Sequence, residues 1–320
     1  MKWIRTVDQS LPPIESSVIT IGNFDGLHLG HQKLMSELTS LSKQYNVPSI
    51  VCTFKPHPRT LLNPKTPTHR LFDYNDQAEC LEQLGIDYLI EEKFTQDFSL
   101  MKADEFMDLY IVRHFKPKHI VIGYDFSFGH NRSGNIHFLQ DYCAKKSIQL
   151  TVIPAFQTDG KTVSSTAIRQ FLVNGDIESA KQLLGRFYYV RGPVRVGFKR
   201  GRQIGVPTAN ISPDIDFSPR LGVYFSEVYL KDQVYFSITN IGYNPTFENE
   251  RKYLKVETHI FDFDQEIYGE QIKVELHHFH RDEMKFDGIE SLKKQIHSDI
   301  ASAKLFFSAK DTNKSKEKKL

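Results

Sequence analysis

Two histidines three residues apart, His28 and His31, end the run Ile19-Thr20-Ile21-Gly22-Asn23-Phe24-Asp25-Gly26-Leu27-His28-Leu29-Gly30-His31. The run passes from an apolar, β-rich segment into a helical one, so both imidazoles fall at a helix start and can face one ligand. Free N–H groups at a helix N-terminus attract phosphate, and Gly22, Gly26 and Gly30 permit tight backbone and close approach. Imidazole donors placed there can stabilise charge building on an α-phosphate as pyrophosphate leaves. A strand-turn-helix junction with incidental histidines is the plainer reading, but it leaves the coincidence with three glycines without a cause. Two His at this spacing also suit a metal, yet no third ligand is evident nearby.

A second group lies in Gly197-Phe198-Lys199-Arg200-Gly201-Arg202-Gln203-Ile204-Gly205-Val206-Pro207-Thr208-Ala209-Asn210, which joins three basic residues to a pliable loop. The hydroxyl of Thr208 and the side-chain oxygen of Asn210, two apart on an extended segment, point to one side and can reach a hard cation or its waters. Such a loop suits a Mg-nucleotide; the bland alternative is a glycine-rich surface turn. Ser164, Ser165 and Thr166 at another helix start can cap it or hold phosphates, and Arg169 adds a charge one turn along. Ala155 to Thr162 mimics a P-loop, but Ala stands where the nest needs its first Gly. His277, His278 and His280 invite a metal reading; alternation puts His278 and His280 on one face and His277 on the other, which favours a solvated or partly packed strand end.

The elements that must carry these groups follow from periodicity. Val18–Ile21, Ser49–Phe54, Tyr88–Ile90, His119–Gly123 and Leu150–Ile153 are short apolar runs that read as buried strands. His31–Gln44, Tyr74–Leu84, Lys102–His114 and Asn135–Lys146 lie between them with apolar residues three or four apart, as helices require. That alternation implies βαβ units around a parallel sheet, with ligands in the loops after the strands. Two short helical stretches meet at Asn174-Gly175-Asp176, and the domain break is expected at Gly185. Beyond it Tyr188–Val196, Gly222–Leu230, Val234–Ile241, Leu254–Phe261 and Gln271–Phe279 predict an antiparallel barrel, closed by a docking helix over Ile289–Lys304.

Composition bounds the partners. The 320 residues are 40% hydrophobic and 25% charged, which excludes global disorder and allows two domains with sizeable cores. A net charge of +2 is too small for the footprint of a nucleic-acid binder, and no run is apolar enough to span a membrane. Three widely spaced cysteines form neither a disulfide framework nor a thiolate metal site, so a reducing, cytoplasmic setting is expected. Five lysines between Lys310 and Leu320 predict a solvated, frayed tail. Self-association is left open.

The first run, in its longer form GNFDGLHLGH, resembles the HxGH nucleotidyltransferases, and within them the adenylyltransferase module of bacterial bifunctional riboflavin kinase/FAD synthetases. The likeness continues in Thr53-Phe54-Lys55-Pro56-His57-Pro58, in Gly123 to Gly129 with Arg132 and Gly134, and in Val163 to Arg169. Gly201 to Asn210 resembles the GRxLGxPTAN signature of riboflavin kinases, with Ile204 as a mild change, and Tyr224, Asn240, Asn244 to Phe247, Glu257, Tyr268, Arg281 and Phe286 extend it. Val196 and the stretch Glu248–Lys252 depart from the family pattern without touching base or metal ligands.

The resemblance implies a Rossmann-like adenylyltransferase domain over 1–185, a six-stranded barrel kinase over 186–306 and a lysine-rich tail over 307–320. It implies ATP and flavin as substrates with Mg²⁺, riboflavin becoming FMN and then FAD. His28, His31, Arg169 and Glu257 are the implied catalytic residues, with Glu257 as base. Gly22, Phe24, Gly26, Gly30, Ser164, Ser165 and Thr166, and in the kinase Gly201, Arg202, Gly205, Pro207, Thr208 and Asn210, are implied for ATP, the last two also for the metal. His57, Pro58, Asp125, Phe126, Phe128, Arg132 and Arg281 are implied for flavin, Phe126 and Phe128 as an apolar wall or as core. Two rivals stand beside this: a chain with one inactive module, and a non-catalytic flavin or nucleotide sensor.

Overall fold

The structure is a computed structural model that describes residues 1–7, 11–65, 69–158, 160–197, 201, 204–213, 215, 217–244 and 253–317. Arg202, the basic residues 199–200 and the stretch 245–252 singled out above therefore lie outside the described residues. The chain divides into two compact units, Met1–Ser165 and Thr166–Leu320, a border earlier than the break read at Gly185.

In the first unit β1 (Lys2–Arg5), β2 (Ser17–Ile21), β3 (Ser49–Lys55), β4 (Tyr88–Lys93), β5 (Pro117–Gly123) and β6 (Gln149–Ile153) form one parallel sheet in the order β1-β4-β3-β2-β5-β6. All five residues of β2 are buried, as a strand covered on both faces must be. Val18, Val51 and Val121 point to one face and pack with Leu34, Met35 and Leu38 of α1 (Leu29–Tyr45), while Ile19, Ile50 and Ile120 serve the opposite core. Because β2 lies between β3 and β5, the loops after these three strands are neighbours at the carboxyl edge. Each expected strand is present; β1 is the addition, an edge strand whose charged alternation buries only Ile4 and so carries no apolar run. The stretch that mimics a P-loop pairs Gln157–Thr158 (β7) with Lys161–Thr162 (β8) as a small hairpin.

Other helices of this unit are α2 (Pro58–Leu62), α3 (Tyr74–Gln83), α4 (Gln96–Ser99), a continuous stretch over 103–115 (α5) and α6 (Ile136–Lys146). In α5 the middle, Phe106–Val112, is wound as π-helix and buries Phe106, Met107, Tyr110 and Ile111.

The second unit begins at Thr166, within α7 (Ser165–Asn174), and continues with α8 (Ile177–Leu184), which ends at Gly185 in the left-handed region, φ 76°. Strands β9 (Tyr189–Arg195), β10 (Ala209–Ile211), β11 (Gly222–Leu230), β12 (Gln233–Asn244), β13 (Tyr253–Ile260) and β14 (Gln271–Arg281) close an antiparallel barrel in the order β10-β13-β12-β11-β14-β9. Its buried hydroxyls satisfy one another: Ser226 Oγ meets Ser237 Oγ at 2.8 Å and Thr239 Oγ1 at 2.7 Å, and Thr239 donates to Thr258 Oγ1 at 2.8 Å. Against the outer wall, α9 (Ile289–Glu317) buries Ala303 and Phe307 on Val223, Phe225, Ile238 and Phe261. The tail expected to fray from Lys310 is helix through Glu317, and Phe306 and Phe307 pack on an apolar floor just before it. No helix among the described residues is long and apolar enough to cross a membrane.

Candidate active sites

The turn after β2 is built by left-handed backbone at Phe24, Gly26 and Leu27, φ 50°, 84° and 38°. It is tied down from three directions. Asp25 accepts from the Leu71 N–H at 3.0 Å, its carbonyl accepts from Ser165 Oγ at 2.8 Å, and the Asn23 carbonyl accepts from Gln77 Nε2 at 3.0 Å. A Cβ on Gly22 would sit 2.8 Å from the Phe24 ring, so glycine there is a packing requirement.

His28 caps α1: its Nδ1 accepts the His31 N–H at 3.3 Å, which places the imidazole proton on Nε2. The two rings stack at 3.6 Å, and Phe24 meets His31 edge-on at 5.4 Å. Burial, followed by the neighbouring His28, lowers the His31 pKa well below 6.5. His31 is therefore a neutral donor at pH 7. Its Nδ1 is buried without a hydrogen-bond partner, as are Asn23 Oδ1 and Arg70 Nη1.

His57 and Pro58 open α2 just after β3, with His57 Nδ1 accepting the Arg59 N–H at 3.2 Å. After β5, Phe126 and Phe128 stack at 5.3 Å, and both are partly buried against the core. Asp125 and Arg132 are exposed in the same loop. Ser164 precedes α7, and Thr166 and Arg169 lie on its first turns, in the second unit.

In the barrel, β10 is a three-residue strand that composition hides inside a loop. It sets Asn210 directly opposite Glu257 on β13, and Glu257 opposite Asn240 on β12. The three side chains share a face. A Cβ on Gly197 would lie 2.4 Å from Asn210 Nδ2, and one on Gly201 would strike the Val206 carbonyl at 2.3 Å, so both glycines hold the loop close to Asn210 and Thr208. Gly205 turns it at φ 79°, and the Pro207 carbonyl accepts from His259 Nδ1 at 2.7 Å.

Lys255, two residues before Glu257 and on its face, puts Nζ 2.8 Å from the carboxylate. Alternation along β13 was the signal for it, and motif reading passed over it. Arg281 is occupied otherwise. Its Nη2 reaches Asp299 Oδ2 at 2.6 Å, Nε reaches both oxygens at 3.1–3.2 Å, and Nη1 donates to the Asp282 carbonyl at 2.9 Å. Every guanidinium nitrogen is thus engaged, and Arg281 ties the end of β14 to α9.

A parallel sheet with a histidine pair at its carboxyl edge, followed in the same chain by a barrel with facing Asn and Glu, defines a two-module nucleotide-dependent transferase. Residues 12–167 match the FAD synthetase family and residues 184–307 the riboflavin kinase family. The bifunctional riboflavin kinase/FMN adenylyltransferase of Haemophilus influenzae is 37% identical over 97% of this chain and 100% of its own length, and that of Bacillus subtilis is 37% identical over 91% and 93%. This chain belongs to the bifunctional riboflavin kinase/FMN adenylyltransferase family. A crystal structure described as a macrolide-efflux protein from Streptococcus pneumoniae superposes with TM-score 0.83 at 30% identity, covering 94% of this chain and 98% of that one.

Proposed function

We infer that the chain phosphorylates riboflavin to FMN and adenylylates FMN to FAD, each reaction using ATP. The observation that carries this is that each family match falls on a complete architecture holding its own polar cluster: His28 with His31 in one, Asn210 with Glu257 in the other. The sequence domains 1–185 and 186–306 are assigned to the second and first reaction respectively.

In FAD formation the FMN phosphate attacks the ATP α-phosphorus and pyrophosphate leaves. His28 Nε2–H and the neutral His31 donate toward the oxygens that gain charge, beside the N-terminal amides of α1, which also favour anions. Neutral donors cost no proton transfer there. Gly22, Phe24, Gly26 and Gly30 shape the turn, Ser164, Ser165 and Thr166 with Arg169 serve ATP, and Phe126, Phe128, His57, Pro58, Asp125 and Arg132 serve flavin.

In FMN formation Glu257 accepts the proton of the ribityl 5′-hydroxyl as that oxygen attacks the γ-phosphate. Lys255, with Nζ 2.8 Å from that carboxylate, orients it. Gly201, Gly205 and Pro207, with Arg202, cover the phosphates. Thr208 and Asn210 offer hard oxygen donors on a segment that Gly197 brings close, a set that fits Mg²⁺. When bound, the ion neutralises phosphate charge. The chemistry needs no nucleic acid or membrane, and a cytoplasmic setting suits it. A chromatographic time course with riboflavin, ATP and Mg²⁺ tests the reading: FMN must appear first and FAD follow, and accumulation of FMN alone would reduce the chain to a kinase.

A further inference from the structure

We propose that the outer wall of the barrel carries a divalent metal site of the zinc class, formed by Glu227, Glu275 and His277. Glu227 on β11 and Glu275 on β14 are directly opposed in register. The Tyr229 hydroxyl lies between them, 3.4 Å from Glu227 Oε2 and 3.1 Å from Glu275 Oε2. The register then steps from Ser226↔Leu276 to Phe225↔His278, leaving His277 as an extra residue, a device that re-aims side chains beside sites.

His277 is 3% exposed, and its Nε2 lies 3.4 Å from Glu227 Oε2 and 3.9 Å from Glu275 Oε2. That buried nitrogen nevertheless has no hydrogen-bond partner. The three ligand atoms lie within 4.8 Å of one another. Bonds of about 2.0–2.2 Å in a tetrahedron give ligand–ligand edges of about 3.4 Å, so little movement closes the shell. One imidazole with two carboxylates suits zinc-class ions better than the all-oxygen preference of Mg²⁺ or Ca²⁺. Glu227 and Glu275 are 14% and 15% exposed, which leaves a way in and room for a water as fourth ligand.

The surroundings fix orientation and supply a competitor. Lys273 Nζ holds the other oxygen of Glu275 at 2.8 Å, and Tyr229 Oη donates to Glu275 Oε2 at 3.1 Å. Lys310 of α9 sits 2.6 Å from His277 Nδ1. An ammonium only donates, so the ring proton is on Nε2. Coordination needs the other tautomer: the proton moves from Nε2 to Nδ1 through solvent, with no net change, and Lys310 withdraws. Ion binding and this α9 contact therefore exclude each other.

The test is calorimetric titration of ZnCl₂ into the full-length protein, with Co²⁺ absorption as a second probe. Wild type should show a site that the double variant Glu227→Gln, Glu275→Gln weakens by about tenfold or more, and that Lys310→Met tightens. If the double variant is misfolded by circular dichroism, His277→Phe, which keeps the ring contact with Phe187 at 3.9 Å, decides instead. Absence of zinc binding in wild type, or isotherms that neither the carboxylate nor the His277 change alters, would overturn the proposal.

Discussion

At the scale of single residues, the two reactions rest on groups that can be removed separately. Loss of one donor to developing phosphate charge costs about 10²–10³ in rate, so His28→Ala or His31→Ala should suppress FAD formation from FMN while riboflavin phosphorylation continues. Equal loss of both rates would refute the assignment. General-base catalysis contributes about 10²–10⁴-fold, and Glu257→Gln should lose that much kinase rate with FMN adenylylation intact. Its melt should barely move, because the partly exposed Lys255 pair contributes little. His31 also links stability to pH. Its folded pKa lies below 6.5, so the unfolded chain takes up this proton first as the pH drops. The contribution is whole above 6.5 and is lost as pH falls from there toward the lowered folded value. His31→Gln should flatten the decline in melting temperature between about pH 7 and about pH 5; a slope equal to wild type would place the effect elsewhere.

At the scale of elements, glycines and one buried ion pair decide how loops and helix are held. Gly197→Ala would push a methyl into the Asn210 amide. The variant should fold, yet need more Mg²⁺ for half-maximal FMN formation, and an unchanged Mg²⁺ dependence would separate Gly197 from the metal. Arg281→Met leaves Asp299, 2% exposed, without its guanidinium. Breaking a buried pair this way costs about 3–5 kcal/mol, so the barrel unit should melt earlier. Below that melt a raised KM for riboflavin in folded protein would support the flavin contact expected of Arg281, and an unchanged KM would rule it out.

At the scale of the molecule, the compact second unit begins at Thr166 and includes the helical pair before the barrel. Ile177, Ala180, Leu183 and Leu184 of α8 are buried, Arg220 N–H donates to the Leu172 carbonyl at 2.9 Å, and Gly175 lies close to Phe279. A fragment of residues 166–320 should therefore fold and make FMN but no FAD. The shorter 186–320 fragment strips that cover and should melt lower. Identical melts would mean that α7 and α8 contribute nothing to the barrel.

Alternating apolar runs and helical spacing sufficed to distinguish a parallel sheet from a barrel, because both periods are set by local backbone geometry. The histidine pair at a helix start, the Thr208–Asn210 spacing and the glycines were legible for the same reason: each lies within one short segment. Folding settled what depends on partners distant in the chain. Asn210 faces Glu257 only through a three-residue strand too short to carry a pattern, and Arg281 is taken by Asp299 across a helix junction. β1 needed β4 to become a strand, and Ala303 and Phe307 of α9 needed the barrel wall to be buried. His277 stood in the sequence beside two other histidines, yet a step in register turns it toward two glutamates, one of them on another strand. Strand register is a property of pairs of segments, and a single sequence window contains only one of them.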